Sequence, residues 1–292
     1  MKICMHNWMR PEPIEQTVDR MKRLGYDGIQ IMGEPRKYDW NQVRALLDKN
    51  NLQCFGSVSI MVSGRDLIHA DPYYREMTIV YLKECLDMVH ALGGNIFTLV
   101  PSEVGKIVAM ADAETEWGWA VEGIKQVAGH AEKLGIRIGL EPLNRFETNF
   151  LTRHDQALRL AADVGGDVGV CLDAFHINIE EADPYQAILN TGSKLVDFHV
   201  ADNNRFPPGA GSLDWAKLIS TLKQAGYDKQ LTVEFVVPLD RSPLAKKSEA
   251  AGTTATEAEL KFIRDHGSDL MSDGEYSGYV EASIKHLRAS GA

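Results

Sequence analysis

Four short apolar runs in the second half of the chain each end on a side chain able to hold a metal ion. Ile136 to Leu140, interrupted by Arg137 and Gly139, stops at Glu141, and Pro142 and a polar cluster of Asn144, Arg145 and Glu147 follow at once. Val168-Gly-Val-Cys-Leu ends on Asp173, Leu195-Val-Asp-Phe ends on His199, and Leu231-Thr-Val ends on Glu234. Runs of this length and composition read as buried strands. Their terminal residues are spaced 32, 26 and 35 residues apart, each about the length of one strand-plus-helix unit. Taken singly, each terminal residue reads more readily as a solvated strand-end group or a cap. In register along four successive parallel strands they read as one site. Two glutamates, an aspartate and an imidazole suit a hard or borderline divalent cation such as Mg²⁺ or Mn²⁺.

Such a set could also move protons. Glu141 and Glu234 would come from the fifth and eighth strands and lie across the mouth of a barrel. A cation between them could take two oxygens of a hydroxy-ketone and make the proton on the adjacent carbon easier to remove. Carboxylates on opposite faces of the resulting flat enediolate could remove a proton from one side and return one on the other. That is an epimerisation.

The elements needed to position these residues are legible along the whole chain. Strands are expected at Lys2–Trp8, Gly28–Met32, Leu52–Ile60 and Asn95–Pro101, ahead of the four described above. Helices are expected at Pro13–Tyr26, closed by Gly25, at Asp39–Asn51 with Asp39 as cap, and at Asp71–Leu92. Further helices are expected at Thr115–Leu134 stopped by Gly135, Arg153–Val164, Pro184–Thr191 and Asp214–Ala225. After the eighth strand comes a long polar stretch, Pro238–Thr256, with helix signals at Glu257–His266 and Tyr279–Ala289. Eight strands alternating with helices predict an α/β fold, a single (β/α)8 TIM barrel over residues 1–292, carrying an extended segment at 237–278. An open, doubly wound sheet would need a glycine-rich phosphate loop after the first strand, whereas His6-Asn-Trp-Met-Arg-Pro11 contains no glycine.

Bulk properties narrow the function classes. A 292-residue chain with 44% hydrophobic residues can bury one large core. The net charge of −10 argues against nucleic acid or an anionic membrane as a general partner. Cys4, Cys54, Cys85 and Cys171 show no paired spacing and read as buried reduced thiols. With no signal-peptide pattern and no apolar stretch of spanning length, the expected setting is cytoplasmic.

The motifs Glu141-Pro-Leu-Asn-Arg-Phe-Glu147, Leu172-Asp-Ala-Phe-His-Ile-Asn-Ile-Glu-Glu181, His199-Val-Ala-Asp-Asn-Asn-Arg205 with Pro208-Gly-Ala-Gly211, and Glu234 resemble the xylose-isomerase-like sugar isomerase/epimerase superfamily. Within it they look most like the ketose 3-epimerases that act on tagatose and psicose (allulose). The match is specific from about residue 118 to 236 and architectural before that. The resemblance implies Mn²⁺, with Co²⁺ or Mg²⁺ as alternatives, bound by Glu141, Asp173, His199 and Glu234. It further implies that Glu141 and Glu234 double as the acid/base pair, and that Glu147, His176 and Arg205 hold substrate hydroxyls. Competing readings are a surface pair between Glu147 and Arg145, a structural role for His176, and a loop-anchoring ion pair for Arg205. Asn144 and Asp202 could orient the metal ligands, while Phe175 and Trp215 read as packing residues.

Two stretches depart from that family's pattern: Phe97-Thr-Leu-Val-Pro-Ser-Glu-Val-Gly-Lys106, and Phe235-Val-Val-Pro-Leu-Asp-Arg-Ser-Pro243. Both would line the substrate entrance. Alongside a ketose 3-epimerase, expected to be a homo-oligomer, stands a lyase with the same first step. The α-subunits of C-glycoside deglycosidases resemble these epimerases, act on 3-oxo-glycosides by β-elimination and pair with a small β-rich subunit. A non-catalytic binding barrel would lack one of the two glutamates, and both are present. A metal-dependent endonuclease would want a basic groove.

Overall fold

In the computed structural model, which describes residues 1–236 and 271–292, eight parallel strands close into a barrel in sequence order. They are β1 (Lys2–His6), β2 (Gly28–Gly33), β3 (Gln53–Ser59), β4 (Ile96–Leu99), β5 (Arg137–Leu140), β6 (Gly169–Asp173), β7 (Leu195–Val200) and β8 (Gln230–Val233). The helices are α1 (Ile14–Leu24), α2 (Trp40–Asn50), α3 (Pro72–Ala91), α4 (Ala113–Leu134), α5 (His154–Val164), α6 (Ala174–Glu180), α7 (Pro184–Thr191), α8 (Trp215–Gln224) and α9 (Asp273–Ala289). β1 closes the ring on β8 through Ile3 opposite Leu231 and Met5 opposite Val233. This is the (β/α)8 architecture expected from the alternating pattern.

Strand packing inside the ring depends on side chains that are absent. A Cβ on Gly56 would drive into the backbone carbonyl of Ile96 on β4, so only glycine lets β3 and β4 pair at that level. The helix boundaries follow local chemistry. Asp39, Asp71, Asp112 and Asp214 each accept a hydrogen bond from a first-turn N–H, and Gly25 and Gly135 close α1 and α4 in the left-handed conformation.

Several elements differ from the sequence expectation. β1 ends at His6, because from there the chain turns away from the ring. α4 starts at Ala113, where Asp112 caps it, rather than at Thr115. α6 was not expected: Asp173 both ends a strand and caps this helix by accepting from the Phe175 N–H at 2.8 Å. The segment expected to extend over 237–278 contains the start of α9, since Ser272 and Glu275 form a reciprocal capping box. Gly274 and Gly278 obscure that start in the sequence. Packing compensates for them: the Arg20 and Arg10 guanidiniums lie over the buried Tyr276 ring at 4.8 and 5.1 Å. Arg20 also reaches Ser277 at 2.9 Å. The polar stretch Pro238–Thr256 and the helix signals at Glu257–His266 lie outside the described residues.

No helix among the described residues is long and apolar enough to cross a membrane. All four cysteines are free and buried, and burial pushes the Cys54 thiol up to about 12. Fewer than one thiol per folded chain is therefore expected to react with a disulfide reagent at pH 8, and four after denaturation. Two or more fast-reacting thiols in the folded protein would contradict this packing.

Candidate metal and proton-transfer site

The strand ends bring the four expected donors to one level. Asp173 pairs with His199 across β6 and β7, and Val200 pairs with Val233 across β7 and β8. Glu141 and Glu234 each lie one residue beyond their strand and extend the ladder, donating from N–H to Leu99 O at 3.0 Å and to Val200 O at 3.1 Å. Donor atoms of Glu141, Asp173, His199 and Glu234 all lie within 4.8 Å of one another, and all four residues are buried. His199 Nδ1 is the meeting point, 3.0 Å from Glu141 Oε1 and 2.7 Å from Glu234 Oε2.

The chemistry of this donor set fits a divalent cation. His199 Nδ1 and Glu234 Oε2 face each other, yet each is a buried polar atom without a hydrogen-bond partner. Such atoms are costly in a protein interior unless a group within reach of both compensates them. Carboxylate oxygens plus one imidazole nitrogen are the ligands Mn²⁺, Mg²⁺ and Co²⁺ accept.

Charge separates the two glutamates. Burial pushes the Glu141 carboxyl above its ordinary value, and His199 only partly offsets this. Burial acts on Glu234 too, but His199, His6 and Arg205 outweigh it and hold that carboxyl well below the usual range. Burial alone would lower His199. Cys171, Glu141 and Glu234 raise it well above its ordinary value, and because burial keeps the Cys171 thiol neutral the carboxylates carry the effect.

The three residues expected to hold substrate lie around this cluster. Arg205 NH1 pairs with Asp173 Oδ2, its NH2 lies 3.8 Å from Glu234 Oε1, and the guanidinium sits over the Phe175 ring at 4.7 Å. Arg205 adopts a positive φ of 63°, an uncommon conformation for a side-chain-bearing residue. Asp202 builds the turn responsible. Its carboxylate accepts from the N–H groups of Asn203, Gly209 and Leu213 and from Trp215 Nε1, and its carbonyl accepts from the Arg205 N–H. Asp202 thus shapes the loop that presents Arg205, rather than orienting a metal donor as its position after His199 suggested.

Asn144 likewise serves the outer residues. It donates to Glu147 Oε1 at 2.7 Å, and its backbone N–H donates to His176 Nδ1 at 3.2 Å. His176 Nδ1 is therefore an acceptor and Nε2 carries the proton. Nε2 lies 3.8 Å from Asp173 Oδ2, too far for a hydrogen bond, and so remains able to donate to a substrate oxygen. Arg145 pairs with Glu180 at 2.9 Å, not with Glu147. The divergent loop after β4 packs alongside: the Gly105 N–H donates to Glu147 O at 2.7 Å, and Lys106 bridges to Thr148.

Sequence reasoning missed two residues. His6, at the end of β1, packs edge-on against the His199 ring with centroids 4.6 Å apart. Asp197 lies 3.3 Å from His199 Nε2. The alternation of a strand could have found Asp197, because residues two apart point the same way and Asp197 must enter the barrel with His199.

A family model described as a xylose isomerase-like TIM barrel matches residues 18–266. A protein named D-psicose 3-epimerase, from Agrobacterium fabrum, is 34% identical over 270 residues, covering 88% of each chain. One named 3-dehydro-D-guloside 4-epimerase, from Escherichia coli, is 26% identical over 234 residues, covering 77% of this chain and 87% of its own. Among solved structures, D-psicose 3-epimerase with D-tagatose from Clostridium cellulolyticum H10 superposes with a TM-score of 0.83 at 22% identity, covering 99% of both chains.

Proposed function

Because the chain belongs to the xylose isomerase-like TIM barrel family, we propose that it is a divalent-metal-dependent sugar epimerase. The reading it supports best is a ketose 3-epimerase, which moves a proton on the carbon beside a keto group through an enediolate. One observation carries this reading: two buried glutamates converge on a single imidazole nitrogen within a four-donor cluster.

A divalent cation held by Glu141, Asp173, His199 and Glu234 would polarise the carbonyl and stabilise the charge that appears as the proton leaves. The rest is the work of side chains. Glu234, kept ionised beside the Arg205 guanidinium, is the base that takes the proton. Glu141, on the other side of His199 Nδ1, returns one, and the roles exchange for the reverse reaction. His176 donates from Nε2 to a sugar oxygen, while Arg205 and Glu147 orient hydroxyls on either side. Burial of all four central donors keeps bulk water from quenching the carbanionic species.

A second reading keeps the same first step on a larger keto-glycoside. Phe146, beside Glu147, is 73% exposed, and Ile107 and Val108 on the neighbouring loop are 60% and 72% exposed. Apolar side chains on these two loops suit an aglycone more than a free sugar, and one relative is named for a keto-glycoside reaction. A lyase that eliminates the aglycone, working with a small β-rich subunit, belongs to this reading; a homo-oligomer belongs to the first.

The test is proton exchange in D₂O with Mn²⁺, comparing free ketoses with a 3-oxo-glucoside. Deuterium entering a ketose together with its 3-epimer supports the epimerase. Epimerisation of the glycoside, or release of its aglycone, without ketose exchange moves the assignment to the second reading. Absence of exchange on both, despite bound Mn²⁺, would sink the proton-abstraction mechanism.

A further inference from the structure

Below the candidate cation site lies a carboxylate that proton transfer does not use. Asp197 is fully buried in β7, two residues before His199. Its oxygens accept hydrogen bonds from Gln30 Nε2 of β2, Thr98 Oγ1 of β4 at 3.2 Å, and Gln230 Nε2 and Thr232 Oγ1 of β8 at 2.8 and 3.3 Å. The adjacent Phe198 N–H donates as well, at 2.8 Å. Four strands therefore contribute donors to one charge. A merely structural tie across the barrel could be neutral, since an ionised group in the interior is expensive unless its charge is needed.

The need is visible at His199. Oδ2 of Asp197 lies 3.3 Å from His199 Nε2, on the side of the ring away from Glu141 and Glu234. An ionised carboxylate can only accept, so the ring nitrogen facing it must carry the proton. His6 Nε2, 3.4 Å from the same nitrogen, is placed to accept as well. Once the Nδ1 proton is displaced, as metal binding requires, the Nδ1 lone pair is left pointing at the two glutamates.

We propose that Asp197 is a positioning residue that fixes His199 in the Nε2–H tautomer, so that Nδ1 is the metal-binding nitrogen and is made more basic by the charge behind it. The inference rests on the metal reading of the cluster. A carboxylate behind a ligating imidazole typically strengthens metal binding by about 10- to 100-fold. Asp197→Asn keeps the shape but presents an amide, which can stabilise the opposite tautomer.

Titration with Mn²⁺, following the free aquo ion by electron paramagnetic resonance, separates the outcomes. Folded Asp197→Asn, checked by circular dichroism and thermal melting of the metal-free form, is expected to bind Mn²⁺ about 10- to 100-fold more weakly than wild type. Affinity within twofold of wild type would overturn the positioning role and leave the metal site standing. Failure of wild type to bind Mn²⁺ would overturn both. The wild-type protein supplies a second readout if the variant does not fold. In ¹⁵N-histidine spectra of the Mg²⁺-loaded chain, His199 is expected to carry its proton on Nε2. A proton on Nδ1 would refute the assignment.

Discussion

Replacing Glu234 by glutamine is expected to lower epimerisation by at least about 10³-fold, toward the upper end of what one positioned acid or base contributes. The substitution preserves volume in a buried position while removing the negative charge that lies beside Arg205. Glu141→Gln is expected to match it, because a two-base exchange needs both partners for net inversion. The two variants should differ in isotope exchange at saturating Mn²⁺. With Glu234 gone, residual deuterium uptake should be confined to one 3-epimer; with Glu141 gone, to the other. Steady-state epimerisation and proton spectra in D₂O measure both effects. Retention of more than a tenth of wild-type activity by either variant would remove that residue from the proton-transfer role.

Chelation should abolish activity and lower the melting temperature, with both restored by Mn²⁺. A ligand at 100 times its Kd stabilises the folded state by about 2.7 kcal/mol, which for a domain of this size is a shift of roughly 5 °C. The shift should depend on pH, and its sign follows from Glu141. In the metal-free chain, burial raises this carboxyl above its ordinary value. A folded-state pKa above the unfolded one contributes stability at low pH that is lost as pH rises through the raised value. A bound cation requires the carboxylate, so protons compete with it over the same range. The difference in melting temperature between Mn²⁺-loaded and chelated protein is therefore expected to grow as pH rises above the ordinary carboxylate range, with the His199 proton, which the cation must also displace, adding to the effect in the same direction. A difference independent of pH would mean that Glu141 is not a ligand.

Much of the site was legible because the barrel makes a one-dimensional pattern out of a three-dimensional one. Each strand contributes a side chain at its carboxyl end, so Glu141, Asp173, His199 and Glu234 can be read as chemically apt residues after apolar runs at regular spacing. Residues in the intervening loops were less legible. Glu147 read as a substrate residue with Arg145 as a competing partner, and only the fold gives Arg145 to Glu180 and joins Glu147 to His176 through Asn144. Asp202 looked like an orienting group by proximity in sequence, whereas its hydrogen bonds go to the turn that holds Arg205.

The sequence by itself determined the eightfold alternation, the helix ends at Asp39, Gly25 and Gly135 and the four residues that the strand ends gather, because periodicity, capping and strand ends are local and act over a few residues. Tertiary structure alone decided which nitrogen of His199 faces the carboxylates, that Arg205 spans Asp173 and Glu234, and that Asp197 collects donors from Gln30, Thr98, Gln230 and Thr232. The physical reason is barrel closure. It brings Gln30 and Asp197, 167 residues apart, into contact inside one ring, and no local propensity encodes a pairing at that range.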